Sequence, residues 1–265
     1  MLDRVGAHFL FSTDGVSEDD TLLIAQVDSS DCAFICYRSQ EDKDEILITA
    51  WGWNERAEYS HIEDLICTLE DHSTSRFITV NDVEPRYQPV WKDYAFYQDG
   101  TAMRRHRALT YQAADSEQMR QLGASVAHLC RPGDLIVAIG DLGAGKTTFT
   151  QGMGIGLGVD DEVCSPTFVL SRIHYGNKGL PLVHVDAYRL GSAAEVDDID
   201  LDASLSESVT VVEWGRGIVE QLSDERLELT ITRSARPGDE TRQVMMRPIG
   251  LSWVSRDFAH LTDHL

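Results

Sequence analysis

One ten-residue stretch combines the residue types that hold nucleotide phosphates. It reads Ile139-Gly140-Asp141-Leu142-Gly143-Ala144-Gly145-Lys146-Thr147-Thr148 and fits the pattern G-x-x-x-x-G-K-[ST]. Glycines let successive backbone N–H groups point at phosphate oxygens, the lysine supplies positive charge, and the hydroxyl of Thr147 is a ligand for Mg²⁺. We therefore predict a nucleotide-phosphate site here. The alternative interpretation is a glycine-rich turn with a surface lysine.

The flanking residues predict the strand, loop and helix that such a site needs. Residues 135–139 form a short apolar run typical of a buried strand, and residues 147–151 can continue as a helix. Upstream, Asp115 or Ser116 can cap an amphipathic helix that ends at Arg131-Pro132-Gly133-Asp134. Four further glycines (152, 154, 156 and 158) are expected to end the loop helix, so they do not indicate a dinucleotide fingerprint.

Two carboxylates follow later apolar segments. Residues 163–185 predict a hairpin whose second strand leads into Asp186, and the apolar run 209–212 leads into Glu213. Carboxylates at strand ends suit Mg²⁺ and lie where ligands of open α/β sheets gather. We predict functional roles for both, against the alternatives of a turn residue and a rim residue. The acidic stretch 195–202 indicates a solvated face or a contact for a basic partner.

Composition narrows the class of protein. The chain has 265 residues, 42% of them hydrophobic, and a formal net charge of −21 that is shared almost equally by its two halves. Such acidity argues against unassisted binding of nucleic acid, so any RNA should be held by a partner. The five cysteines are odd in number and contain no C-x-x-C pair, which favours a reducing cytosol. We also find no signal peptide or membrane span and expect a cytoplasmic protein.

Residues 1–110 predict a smaller α+β domain of unknown role. Strand candidates are residues 8–12, 21–27, 33–38, 45–51 and 76–80, with an amphipathic helix over residues 59–70. The aromatic residues of this half are expected to pack in its core more often than to line a pocket. The basic run 104–107 is interpreted as a solvated domain edge or a contact to RNA or a partner, and residues 108–114 as a linker.

Residues 87–100 loosely resemble the last helix and strand of the GNAT acetyltransferases. Those enzymes hold the coenzyme A pyrophosphate on an R/Q-x-x-G-x-G/A segment. Residues 1–110 contain no such segment, so the resemblance implies a degenerate, non-catalytic copy.

Three segments of the second half together resemble the TsaE family of bacterial ATPases. They are the glycine-rich motif 140–148, then Ser165-Pro166-Thr167-Phe168 with His184-Val185-Asp186-Ala187-Tyr188-Arg189-Leu190, and Val212-Glu213-Trp214. The resemblance covers about residues 111–247. It implies an α/β fold, namely a P-loop NTPase domain over residues 111–265 with a mainly parallel sheet. This domain would bind ATP and Mg²⁺. It also implies TsaB-like and TsaD-like partners that hold the tRNA and modify the adenosine next to its anticodon.

The resemblance also implies a role for each site residue. The loop backbone from Gly140 to Gly145 and Lys146 would hold the β- and γ-phosphates, Thr147 would bind Mg²⁺, and Thr148 would lie by the α-phosphate. Asp186 and Glu213 would orient Mg²⁺ or the attacking water. Residues 165–167 would form a mobile segment near the γ-phosphate, Trp214 would pack beside the site, and the helix beginning near residue 116 would flank the base. Ala187 departs from the bulky residue usual in the family, which alters packing and leaves the chemistry alone.

The leading hypothesis is therefore an Mg²⁺-dependent ATPase, and two alternatives stay open. One is a small-molecule kinase on the same scaffold, which would need an acceptor pocket that the sequence does not reveal. The other is a nucleotide-gated interaction module. A GTPase is disfavoured because Asn177-Lys178-Gly179-Leu180 lacks the aspartate that reads guanine. No arginine is placed as a finger in cis, so we expect slow hydrolysis by the isolated protein.

Overall fold

The computed structural model describes residues 10–12, 16–166, 170–176, 179–189, 206–215, 223–236, 238–258 and 261. Several predicted features lie outside the described residues: Thr167, the turn at 177–178, the acidic stretch 195–202 and the end of the tail. By its internal contacts the chain divides into two compact units, Met1–Arg107 and Ala108–Leu265. Within the described residues, no helix is both long and apolar enough to cross a membrane.

The first unit is built on a mostly antiparallel sheet. Its strands are β1 (Leu10–Ser12), β2 (Thr21–Val27), β3 (Ser30–Gln40), β4 (Glu45–Trp53), β5 (Phe77–Val80), β6 (Tyr97–Asp99) and β7 (Ala102–His106). They pair in the order β2-β3-β4-β5-β7-β6, with β1 also on β4. Among these described strands only β4 and β5 run parallel. That pair needs a crossover connection, which the helix between them supplies.

Helix α1 (Tyr59–Asp71) packs on this sheet through the residues whose spacing predicted it. Ile62, Leu65, Ile66 and Leu69 are all buried, as expected for one face of a 3.6-residue period. Its first turn is closed by a capping box, because the Glu58 side chain accepts from the backbone of His61 and the His61 side chain accepts from the backbone of Glu58. A second helix, α2 (Gln88–Asp93), begins with a proline in its first turn and buries Trp91.

The interpretation of residues 104–107 as a solvated edge is wrong for its middle residues. Arg105 and His106 are only 1% and 3% exposed, because the segment is strand β7 in the interior of the sheet. The Arg105 guanidinium lies 3.0 Å from a carboxylate oxygen of Glu63 and 3.0 Å from one of Glu70. Both acids stand on α1, so Arg105 is neutralised within the unit rather than offered to RNA.

The second unit is built on a mixed seven-stranded sheet. Its strands are β8 (Leu109–Ala113), β9 (Leu135–Ile139), β10 (Ser171–His174), β11 (Leu182–Asp186), β12 (Val209–Glu213), β13 (Arg226–Arg233) and β14 (Arg242–Ile249). The order is β10-β11-β12-β9-β13-β14-β8. The middle strands β11, β12, β9 and β13 are parallel, and the three outer pairs are antiparallel. A parallel centre therefore exists, but the prediction of a mainly parallel sheet overstates it.

The interpretation of residues 108–114 as a linker is also wrong. Residues 109–113 form β8, the edge strand that pairs with β14 and buries Tyr111 and Ala113. Apolar and polar residues alternate in this stretch, which is typical of a strand. Its partner strand, however, lies about 130 positions further along the chain. The strand then leads directly into the capped helix.

The described residues of this unit include three α-helices: α3 (Ser116–Leu129), α4 (Lys146–Leu157) and the single turn α5 (Leu251–Val254). The predicted cap of α3 is confirmed, because the Asp115 side chain accepts from the Gln118 amide at 2.9 Å. The expectation that the glycines end α4 is wrong for Gly152, Gly154 and Gly156, which lie inside it. A Cβ at Gly152 would stand 2.0 Å from the Arg120 carbonyl oxygen of α3, so the glycine permits the two helices to touch.

Candidate functional site

The carboxyl ends of three parallel strands bring the predicted site residues to one edge of the second sheet. In the ladder, Asp186 of β11 is the register partner of Glu213 of β12, and Glu213 is the partner of Ala138 of β9. Strand β9 leads within two residues into the glycine-rich loop, which we define as residues 140–145. Both predicted carboxylates therefore stand beside the start of this loop, as expected for strand-end residues of an open α/β sheet.

The loop depends on its first glycine. Gly140 has φ +151°, and a Cβ there would lie 2.5 Å from the backbone oxygen of Ile231 on β13. A side chain at this position would force the loop away from the sheet. Gly143 and Gly145 also have positive φ, and Gly145 is the N-cap of α4. Asp141 and Leu142 are exposed at the tip, with Leu142 85% exposed, whereas Ala144 is fully buried.

The lysine of the motif is a buried cation, not a surface residue. Lys146 is 4% exposed, and its Nζ donates to the backbone oxygens of Gly140 at 2.7 Å and Asp141 at 3.0 Å. Burial lowers the pKa of the ammonium below its ordinary value, while the nearby carboxylates of Glu213 and Asp186 act in the opposite direction. The charge is thus held inside the loop's concavity, close to two acids.

Glu213 is the point at which three elements meet. The Thr147 hydroxyl, on the first turn of α4, lies 2.9 Å from Glu213 Oε1 and 3.2 Å from Oε2. On the neighbouring strand, His184 Nε2 lies 2.8 Å from the same Oε1. Glu213 is 3% exposed and His184 fully buried. A carboxylate removed from water in this way needs donors, and Thr147 and His184 supply them.

Asp186 is held differently. Its Oδ1 accepts from the Tyr188 amide at 3.1 Å, so the side chain caps the short 3-10 turn at Ala187–Arg189. Its Oδ2 accepts from the Ser165 hydroxyl at 3.4 Å, which joins one member of the predicted Ser-Pro-Thr segment to the site. Thr148 is half-buried on the first turn of α4, where the structure records no contact to either carboxylate. Ala187 is buried in a small apolar cluster under the site.

Trp214 closes one side of the lysine. Lys146 Nζ lies 3.7 Å from the centroid of its ring, a cation–π distance, and the Tyr188 ring meets the indole edge-on at 5.2 Å. Trp214 has φ +64°, a left-handed conformation that costs a non-glycine residue about 1–3 kcal/mol. Its amide donates to the Ala138 oxygen at 3.1 Å, which ties this strained residue to the strand that bears the loop.

Two residues of the site were given no role by sequence reasoning. His184 belongs to the segment 184–190 that resembles the TsaE family. Its spacing of two residues from Asp186 on a strand indicates that both side chains share one face of the sheet. Arg242, at the start of β14, donates from Nε to the Ala144 oxygen at 3.1 Å and so supports the loop from below. It lies almost a hundred positions from Ala144 and carried no signal in the sequence.

The donors present suit a magnesium ion. Among the described residues, no group of three or more His, Cys, Asp and Glu side chains could hold a metal by itself. The site instead offers one hydroxyl, Thr147, and the two carboxylates Asp186 and Glu213, all hard oxygen ligands. Mg²⁺ in nucleotide sites takes one or two carboxylates and completes its shell with phosphate oxygens and water. This donor set therefore fits Mg²⁺ bound together with a nucleotide.

Comparison with known proteins identifies a family for most of the second unit. The family model described as "Threonylcarbamoyl adenosine biosynthesis protein TsaE" matches residues 113–244. A relative named "tRNA threonylcarbamoyladenosine biosynthesis protein TsaE", from Streptomyces coelicolor, is 53% identical over 146 residues, which are 54% of this chain and 99% of the relative. The protein of the same name from Bacillus subtilis is 38% identical over 145 residues, 54% of this chain and 88% of its own.

A solved structure is also similar, the crystal structure of Bacillus subtilis YdiB. It has 35% sequence identity and a TM-score of 0.46, and covers 56% of this chain and 89% of its own. The sequence relationships cover nearly the whole length of the Streptomyces coelicolor and Bacillus subtilis relatives. The chain belongs to the TsaE family.

Proposed function

We propose that this chain is an Mg²⁺-dependent P-loop ATPase that supports N6-threonylcarbamoylation of the tRNA adenosine adjacent to the anticodon. Residues 111–265 form the ATPase domain, and the protein acts on a complex of TsaB-like and TsaD-like proteins. The names of its relatives support the pathway. The role of residues 1–110 is separate from this proposal.

One observation carries the ATPase assignment. At the start of α4, Thr147 donates to the buried Glu213 at the carboxyl end of a parallel strand, and the adjacent Lys146 is buried where the same carboxylate acts on its charge. A structural turn has no use for an ammonium and two carboxylates gathered away from water, since burying charged groups is costly. A triphosphate bound with a divalent cation would use each of these groups, because the phosphate oxygens would take the ammonium and the cation would take the carboxylate and hydroxyl oxygens.

The residues divide the work of phosphoryl transfer to water. Backbone N–H groups of the loop and Lys146 bind and orient the β- and γ-phosphates, with Lys146 exchanging its carbonyl partners for phosphate oxygens. Thr147, Asp186 and Glu213 would hold Mg²⁺, which would supply positive charge opposite the phosphate oxygens. Asp186, whose Oδ2 accepts from Ser165 at 3.4 Å, would also orient a water. This mechanism relies on positioning and electrostatics, which is what such reactions require.

The acidity of the chain assigns the RNA to another subunit. With a net charge of −21, the protein would repel the phosphate backbone of a tRNA. The buried Arg105 removes part of the only run of bases in the first unit from any such contact. We therefore propose that tRNA is reached only through the TsaB-like and TsaD-like partners.

The test is ATP hydrolysis by the full chain, alone and with the two partners. We expect slow turnover alone, faster turnover in the complex, and loss of both with Lys146→Ala. Binding of ATP without turnover in either condition would favour a nucleotide-gated interaction module. Fast hydrolysis by the isolated chain that the partners leave unchanged would refute the accessory role.

A further inference from the structure

We propose that His184 is a positioning residue, which holds the Glu213 carboxylate against Thr147 and thereby sets the direction in which Thr147 presents its oxygen. The inference deepens the proposed function and rests on it, because it concerns how the same site receives a metal-bound nucleotide. Nothing in the names of the relatives assigns this histidine a role.

The geometry is that of one acceptor shared by two donors. Glu213 Oε1 lies 2.8 Å from His184 Nε2 and 2.9 Å from the Thr147 hydroxyl. An ionised carboxylate can only accept, so a neutral imidazole must carry its proton on Nε2 to make this contact. His184 Nδ1 has no hydrogen-bond partner among the described residues, which agrees with a bare nitrogen there. The tautomer is thus determined by Glu213.

His184 is held in place by the sheet around it. It is fully buried in the middle of β11, which pairs antiparallel with β10 and parallel with β12. A glutamate side chain loses up to about 2 kcal/mol of rotamer entropy when it is immobilised. The His184 hydrogen bond offsets part of that loss, so the carboxylate waits in one orientation before any nucleotide arrives.

The orientation of the Glu213 carboxylate determines the direction in which the Thr147 hydroxyl proton points. A hydroxyl has one proton and two lone pairs. When that proton goes to Glu213, both lone pairs remain available toward the loop, where a cation would take one. Without a fixed Glu213, nothing would hold the hydroxyl proton on the side away from the loop. His184 therefore affects the Thr147 hydroxyl indirectly, through Glu213.

A second buried histidine provides a matched control. His174 of β10 is 1% exposed, and its Nε2 also lacks a partner among the described residues. Burial, together with neighbouring His184, lowers the pKa of His174. The structure records no hydrogen bond from His174 to Glu213. Changes at His174 therefore report the cost of altering a buried histidine beside the same site without removing a donor to Glu213.

The test compares glutamine with asparagine at both positions in the full chain with its partners. The glutamine amide nitrogen can occupy the place of Nε2, whereas that of asparagine occupies the place of Nδ1. We expect His184→Gln to keep turnover near that of the wild type. We expect His184→Asn to lower kcat about 10- to 100-fold, the usual effect of losing the partner of a metal-site ligand. At His174 the two substitutions should not differ.

A readout independent of turnover is the effect of Mg²⁺ on nucleotide affinity. His184→Asn should bind ATP in EDTA as the wild type does, but should lose most of the tightening that Mg²⁺ brings. Nitrogen-15 NMR of the wild-type imidazoles should show His184 protonated on Nε2. Equal behaviour of the two His184 variants, or a proton on Nδ1, would overturn the proposal, and the NMR result decides it even if His184→Asn does not fold. A wild type that neither binds nor hydrolyses ATP would instead refute the proposed function.

Discussion

Replacing Glu213 by glutamine separates what this carboxylate does for the fold from what it does for the reaction. The two side chains have the same shape, so packing at this 3%-exposed position is preserved. One amide oxygen can still accept from His184 Nε2. The amide nitrogen then takes the place of Oε2, 3.2 Å from the Thr147 hydroxyl. The side chain thereby loses its negative charge and one of the two oxygens that could face a metal ion, although Thr147 can still donate to the remaining oxygen.

The expected cost to the fold is small. Hydrogen bonds to a charged acceptor contribute about 1 kcal/mol more than neutral ones, so two of them give a loss of about 2 kcal/mol. Removing a buried negative charge offsets part of this loss. A net change of 0–2 kcal/mol corresponds to a fall in Tm of at most about 8 °C for a unit of this size. Turnover should fall about 100-fold, equivalent to about 2.7 kcal/mol of transition-state stabilisation.

The assay is steady-state ATP hydrolysis in the presence of the partners, with Tm and ATP affinity measured on the same samples. Glu45→Gln is the matched control, because Glu45 is also buried and accepts from a threonine hydroxyl, that of Thr79, at 2.7 Å in the first unit. It should show a similar change in Tm and unchanged turnover. If Glu213→Gln retained turnover within about threefold of the wild type, the role given to the Glu213 carboxylate would be refuted.

Three further outcomes follow from the contacts. Gly140→Ala should destabilise the second unit by about 2–4 kcal/mol, because the new Cβ would clash with a backbone oxygen. At Gly143→Ala the new Cβ would contact the end of the Arg233 side chain, so the cost should be about 1–2 kcal/mol. Chemical denaturation measures both free energies of unfolding. Burial lowers the pKa of Lys146, so between the lowered pKa and 10.5 the unfolded chain binds more protons than the folded one. The free energy of unfolding should therefore rise with pH in that window. Lys146→Met should abolish this rise, as measured by Tm over a pH series. Arg105→Met should destabilise the first unit by about 3–5 kcal/mol, because Glu63 and Glu70 lose their common partner, and retention of the wild-type Tm would contradict this.

Local patterns predicted those elements whose stabilising contacts are close in the chain. The α1 face, the Asp115 cap of α3 and strand β9 each follow from residues within one or two turns. The incorrect predictions concern residues whose stabilising contacts are distant in the chain. Residues 109–113 read as a linker because their partner strand begins at residue 242, and Arg105 read as exposed because its acids lie on α1. Sequence spacing does not show which distant element will neutralise a charge or pair an edge.

The same limit explains why the sequence treated Asp186 and Glu213 as equivalents. Both end buried strands, and the parallel register places them side by side. Only the three-dimensional contacts distinguish them: Glu213 receives strong donors from Thr147 and His184, whereas Asp186 caps its own turn and meets Ser165 at 3.4 Å. A carboxylate with strong fixed donors is suited to hold geometry, and one with a weak donor retains acceptor capacity for a water. We therefore expect both carboxylates to matter for turnover, and Asp186 to contribute less than Glu213 to the binding of the metal-bound nucleotide. Asp186→Asn should accordingly lower kcat while reducing the effect of Mg²⁺ on ATP affinity less than Glu213→Gln does, and an Asp186 variant that loses more of the Mg²⁺ effect than Glu213→Gln would reverse this ranking.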